Sequence, residues 1–196
     1  MKCANHNQVQ TVAMLQNNSL IFCQDTNVSI RSAIEADAVK LLELKKAVIR
    51  SGSFLLFEEP EFKQTLEELK RFISERTRSA SSLCFLAETD NEVIGCLDLY
   101  ASDLMRISHY ANLSVMIAES FRGRGVGKAL IVTAIDWARH HSGLESLRLR
   151  VHGSNTSAIA LYRKLGFHEE GREIRGARLR DGHFDDVVMM ALHLRL

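Results

Sequence analysis

Val115-Met116-Ile117-Ala118-Glu119-Ser120-Phe121-Arg122-Gly123-Arg124-Gly125-Val126-Gly127-Lys128-Ala129 runs from an apolar strand-like stretch, through a turn dense in glycine, into a segment with helical spacing of apolar residues. Gly123, Gly125 and Gly127 remove side chains where a ligand could approach the backbone. They also permit the positive φ angles that turn several N–H groups inward. The helix that follows begins with unpaired N–H groups and a positive dipole end, so an anionic diphosphate is its natural guest. Arg122, Arg124 and Lys128 add charge. The plainer alternative is a tight strand-to-helix turn with solvated basic side chains and no ligand. The run is not the phosphate loop Gly-x4-Gly-Lys-Ser/Thr, because Ala129 follows Lys128. Nor is it the Gly-x-Gly-x-x-Gly fingerprint early in a βαβ unit.

Outward from this turn the chain alternates strands and helices. A short strand at 28–31 precedes Ala38, Val39, Leu41, Leu42, Leu44, Val48 and Ile49, whose spacing predicts a helix over about 35–50, stopped by Ser51-Gly52-Ser53. Pro60 fits the first turn of a second helix with the stripe Phe62, Leu66, Leu69, Phe72 and Ile73. Strands at 83–88 and 92–100 join through the hairpin signal Asp90-Asn91, and a third covers about 109–117. Beyond the turn come a helix over about 125–141 carrying Ala129, Leu130, Val132, Ile135 and Trp137, a strand at 147–151, and a helix over 155–165 closed by Gly166. Strands at 168–174 and 185–194 complete the order, turning near Asp181-Gly182. This predicts a mixed α/β fold: one central sheet of six to seven strands flanked by four helices. Residues 1–25 read as an irregular N-terminal extension with an apolar patch at 19–23, and 26–196 as one domain.

With 196 residues, 46% of them hydrophobic, the chain can bury one full core. Its 25 Lys+Arg against 24 Asp+Glu generate no global field for nucleic acid or an anionic membrane, so neither is an expected partner. No run approaches the ~18 apolar residues of a membrane helix, and the polar first residues do not resemble a secretory signal, so a cytoplasmic location is expected. Cys3, Cys23, Cys84 and Cys96 lack C-x-x-C spacing; Cys84 and Cys96 read as small core hydrophobes. His140-His141 with His152 form no metal pattern, and no metal is assigned.

Arg122-x-x-Gly125-x-Gly127 resembles the Arg/Gln-x-x-Gly-x-Gly/Ala signature of the GNAT superfamily of N-acetyltransferases. Asn155, Ala158, Tyr162 and Leu165-Gly166-Phe167 are similar to that family's downstream Asn-x-x-Ala-x-x-x-Tyr-x-x-x-Gly-Phe segment, in register. The element order matches from about 28 to 194. Two further stretches, 53–62 and 180–186, resemble a bacterial branch acting on amino acids, polyamines or ribosomal proteins. The resemblance implies a GNAT fold, acetyl-CoA as co-substrate and an amine acceptor of small size. It also implies that Val115, Met116 and Ile117 line the pantetheine arm, that Arg122, Gly123, Arg124, Gly125, Val126, Gly127 and Lys128 hold the pyrophosphate, and that Asn155 bonds the pantetheine. Asn155 is equally a helix N-cap by its own preference. A homodimer through the C-terminal edge strands is a further implication.

Acetyl transfer needs a neutral amine, a stabilised oxyanion and a proton for the departing thiolate. The Ile117 N–H is the implied oxyanion donor and Tyr162 the implied acid; the alternative for Tyr162 is an aromatic packed beside Leu161 and Leu165. Related enzymes often place a Glu on the strand before the loop, where this chain has Asn112. An amide takes no proton, so deprotonation falls to a water chain, to His109 or Tyr110, or to an amine arriving neutral. Glu58 and Glu59 follow the first helix and could attract a cationic amine, or serve the dipole of the helix beginning at Pro60. Asp185 and Asp186 carry the same ambiguity. A protein N-terminal or lysine acetyltransferase, and a non-catalytic acyl-CoA-binding protein, are the competing readings.

Overall fold

In the computed structural model, which describes residues 19–23, 26–52, 54–140 and 143–194, the chain runs β1 (Ser19–Cys23), β2 (Thr26–Ser32), α1 (Ala38–Arg50), α2 (Leu66–Arg78), β3 (Leu83–Thr89), β4 (Glu92–Ala101), β5 (Tyr110–Ile117), α3 (Val126–His140), β6 (Ser146–His152), α4 (Thr156–Lys164), β7 (His168–Arg178) and β8 (Phe184–His193). One sheet takes the order β1-β2-β3-β4-β5-β6-β8-β7. Every neighbouring pair is antiparallel except β5–β6, which is parallel. The mixed α/β architecture with four α-helices is the expected one, and β1 adds an eighth strand from within the stretch read as an extension. Cys3, Ser53 and His141 lie outside the described residues.

Alternation along the central strands sends side chains to two cores. Leu97 and Leu99 of β4 pack with Leu130, Ile131 and Ala134 of α3 and with Tyr162 of α4. Cys96 faces the other way, into Leu41, Leu44 and Val48 of α1 and Leu69 and Ile73 of α2. Cys84 and Cys96 are free, buried thiols, both pushed up by burial. Asp98 shares that side and is bonded by Arg76 of α2 at 2.6 Å, and Arg76 is itself flanked by the Phe72 and Tyr100 rings. The β3–β4 hairpin closes through Asp90 and Asn91, whose φ values of 48° and 65° explain their turn preference.

Three local expectations need correction. Pro60 opens only a 3-10 turn, Glu59–Glu61, after which Phe62 is extended. The start of α2 is Thr65, whose hydroxyl accepts from the Glu68 N–H (3.2 Å) while the Glu68 carboxylate accepts from the Thr65 N–H (2.8 Å). Val39 of α1 and Val132 of α3 are exposed rather than core; Ile131, Ala134 and Ala138 fill that face of α3.

Candidate active site

The central feature is a divergence between β5 and β6. Parallel pairing covers only Tyr110–Asn112 against Ser146–Arg148. Beyond it β5 stays on β4, through Gly95↔Ile117, and β6 stays on β8 as far as His152. The two strands therefore open toward their C-terminal ends, where ligands of such sheets enter. The backbone facing this gap can be read from the ladder. The Ala118 N–H donates to the Ile94 carbonyl at 2.9 Å, so the adjacent pair Gly95↔Ile117 is a non-hydrogen-bonded one. The N–H and C=O of Ile117, and by alternation those of Val115, point away from β4 into the gap. Met116 differs: its backbone faces Cys96 in β4 and its side chain is buried on the α1–α2 side.

At the open end of β5 the chain enters the glycine turn. Gly123 and Gly125 adopt φ of 73° and 91°, and no atom comes within 4 Å of where a Cβ on Gly123 would sit. These angles aim the turn at the N-terminus of α3, which starts at Val126. Arg124 and Lys128 are exposed there. Arg122 folds back: its Nε donates to the Ile117 carbonyl at 3.2 Å, and its Nη2 to the Ser51 hydroxyl at 2.8 Å.

On the β6 side, Asn155 caps α4, its Oδ1 accepting from the Ala158 N–H at 3.2 Å and from the Ser157 hydroxyl at 3.1 Å. Two turns on, Tyr162 is buried with its ring centroid 5.7 Å from that of Phe167. Burial pushes its hydroxyl up to about 12. It is thus a protonated donor throughout the neutral range.

The segment between α1 and α2 crosses the mouth of this opening. Arg122 holds Ser51 from the β5 side; on the β6 side the His152 Nε2 lies 3.3 Å from the Leu55 carbonyl oxygen; and Arg180, from the β7–β8 turn, bonds Glu58 at 2.5 Å. Glu59 is engaged by Arg50 at 3.0 Å. Both carboxylates expected to attract an amine are therefore already matched by arginines. Sequence reasoning missed this strap, and the contact His152 of β6 makes with it, because no local pattern signals contacts between such distant residues.

The remaining expected residues sit at the closed end. Asn112 is exposed where β5 and β6 still pair. The His109 ring packs on Tyr110, and Tyr110 in turn carries the Arg148 guanidinium at 4.2 Å. At roughly 3.3 Å per residue, His109 lies about 26 Å along the strand from Ile117, beyond reach of a proton there. His168, Glu170 and His193 bring ligand-type atoms within 4.8 Å of one another on the exposed β7–β8 ladder. The Arg148 guanidinium 3.6 Å from Glu170 already supplies a cation to that carboxylate. No described helix is long and apolar enough to cross a membrane.

A family model described as the acetyltransferase (GNAT) family matches residues 50–167. An L-amino acid N-acetyltransferase of Escherichia coli is 31% identical over 52% of this chain; the match spans 62% of that protein, under two thirds of its length. A spermidine N(1)-acetyltransferase of the same bacterium is 27% identical over 69% of this chain and 70% of its own. Among solved structures, a GNAT-family acetyltransferase from Streptococcus pneumoniae superposes with a TM-score of 0.82 at 30% identity, over 85% of this chain and 99% of that one. An acetyltransferase from Salmonella typhimurium, solved with acetyl-CoA, shares the fold with a TM-score of 0.75 at 19% identity, over 86% of this chain and 94% of that one.

Proposed function

The chain belongs to the acetyltransferase (GNAT) family, and from that premise we propose that it transfers the acetyl group of acetyl-CoA to the primary amine of a small molecule such as an amino acid or polyamine. The observation that carries this reading is the parting of β5 from β6 directly into the glycine turn at the start of α3. A gap lined by outward backbone groups suits the amide-rich pantetheine arm. A helix N-terminus reached through positive-φ glycines suits the pyrophosphate.

Acetyl-CoA supplies an activated acyl carbon to which the amine adds. Ile117, with Val115 beside it, would bond the pantetheine and the acyl oxygen, while residues 122–128 would hold the pyrophosphate. The Asn155 Nδ2 would donate to the pantetheine while Oδ1 serves the cap. Tyr162 would donate to the departing sulfur. With its hydroxyl near 12, full proton transfer to a thiolate of ordinary basicity, near 8.5, is uphill by roughly 5 kcal/mol. Tyr162 is therefore better suited to hydrogen-bond the thiolate as it leaves, with solvent completing the protonation. The amine's proton leaves to water, because Asn112 offers no basic site. The strap over the opening, tied down at Ser51, Leu55 and Glu58, favours a compact acceptor over a protein segment threaded through an open groove.

The deciding measurement is free-thiol release from acetyl-CoA across amino acids, polyamines, aminoglycosides and short peptides. Release that depends on a small amine is the expected result. Release only with peptides would refute the acceptor class, and absence of both release and acetyl-CoA-induced thermal stabilisation would refute the reading altogether.

A further inference from the structure

We propose that His152 is the positioning residue of the acceptor loop, acting as a two-way donor that fixes the α1–α2 segment over the opening between β5 and β6. This rests on the reading above that this opening is the site of transfer. Continuing the parallel register from Asn112↔Arg148 puts His152 level with Met116, on the far bank of the gap. The side chain is almost wholly enclosed, at 3% exposure. Its two nitrogens meet two acceptors: Nδ1 lies 3.1 Å from the Asp185 Oδ2, and Nε2 lies 3.3 Å from the Leu55 carbonyl oxygen. Phe54 lies against the ring, with centroids 6.2 Å apart.

Neither partner can donate. A carboxylate and a carbonyl both accept, so both bonds form together only when the imidazole carries both of its protons. Asp185 is itself fixed by the hydroxyl of Ser154 at 2.5 Å and by the Ser154 N–H at 3.2 Å. The nearby charges are balanced: on β8, Asp186 is ion-paired with Arg172 of β7 at 3.3 Å, and on the strap Glu58 is paired with Arg180. Asp185 is therefore the carboxylate left to face the ring. Loss of one proton leaves a single donor for two acceptors. Asp185 keeps it as the stronger partner, and the Leu55 carbonyl is released. The strap then holds at Ser51 and Glu58 but loses its middle anchor.

Hydrogen exchange of the full-length protein reads this directly. His152→Phe, which keeps a ring against Phe54 but has no donors, should lower protection of the amides at 54–58, corrected for intrinsic rates, about tenfold, the worth of one hydrogen bond to a charged group. It should also raise the acceptor KM about tenfold and leave the acetyl-CoA KM within about twofold. Should that variant not fold, His152→Gln serves instead, since its amide cannot reproduce two ring N–H donors on opposite sides, and the same loss of protection is expected. Protection of 54–58 that does not respond to these substitutions would overturn the latch, and a freed segment with unchanged acceptor KM would overturn its role in acceptor binding. Absence of acetyl transfer in the wild type refutes the underlying function instead, while the exchange data still decide whether His152 holds the loop.

Discussion

Tyr162 shows how one residue's chemistry follows from its surroundings. Helical periodicity places it on the inward face of α4, and burial alone raises its hydroxyl to about 12. A group so raised is protonated, and able to donate, at any pH below that value; the capacity is lost only as pH climbs through it. Turnover should therefore show no alkaline decline from Tyr162 between about pH 8 and 10, which a kcat–pH profile will check. Tyr162→Phe should lower kcat on the order of 10²-fold while acetyl-CoA still raises the melting temperature. An unaltered kcat would remove Tyr162 from the chemistry. Gly123 makes a different case, because the space around its missing Cβ is open and its φ is 73°. Gly123→Ala meets strain rather than a clash, so about 1 kcal/mol of stability should be lost. Acetyl-CoA affinity should weaken with it, as titration calorimetry will show.

Elements owe their boundaries to short-range polar chemistry more than to apolar spacing. The stripe Phe62, Leu66, Leu69, Phe72, Ile73 indicates a helix, and Pro60 suggests its start, yet α2 begins where the Thr65–Glu68 capping box satisfies two orphan N–H groups. The Thr-x-x-Glu signal was present in the sequence and outranks proline, because it supplies partners that proline only avoids needing. Thr65→Ala should cost about 1 kcal/mol, lowering the melting temperature by roughly 2–4 °C; no shift would mean the cap adds nothing. Starting α2 at Leu66 instead of near Pro60 leaves 60–65 outside the helix. The strap ahead of it, through Ser51, Leu55 and Glu58, is the element that reaches Arg122, His152 and Arg180.

Arg31 of β2 ties the turn before α1 to the sheet, bonding Asp37 at 2.6 Å and Glu88 of β3 at 2.6 Å. Burial works against the Asp37 carboxylate, but the Arg31 guanidinium and the Ile34 N–H outweigh it and hold it below its ordinary range. A carboxyl lowered in the fold contributes stability above its unfolded value of about 4, and that contribution is lost as pH falls through the folded one. Asp37→Asn should accordingly destabilise at neutral pH and flatten the acid side of the stability–pH curve in urea melts. Identical acid limbs in the two proteins would refute the linkage. The sequence alone determined the mixed α/β order, the glycine turn at the head of α3 and the preference of Asn155 for a cap, because each is written in spacings of a few residues that local sterics and periodicity must obey. Only the tertiary structure decided where β5 leaves β6, which backbone groups of Val115 and Ile117 face the gap, that arginines engage Glu58 and Glu59, and that His152 meets Leu55 from 97 positions away. Those outcomes depend on which strands pair and how far, and such pairings are set by the packing of the whole sheet against its helices rather than by any neighbour in the chain.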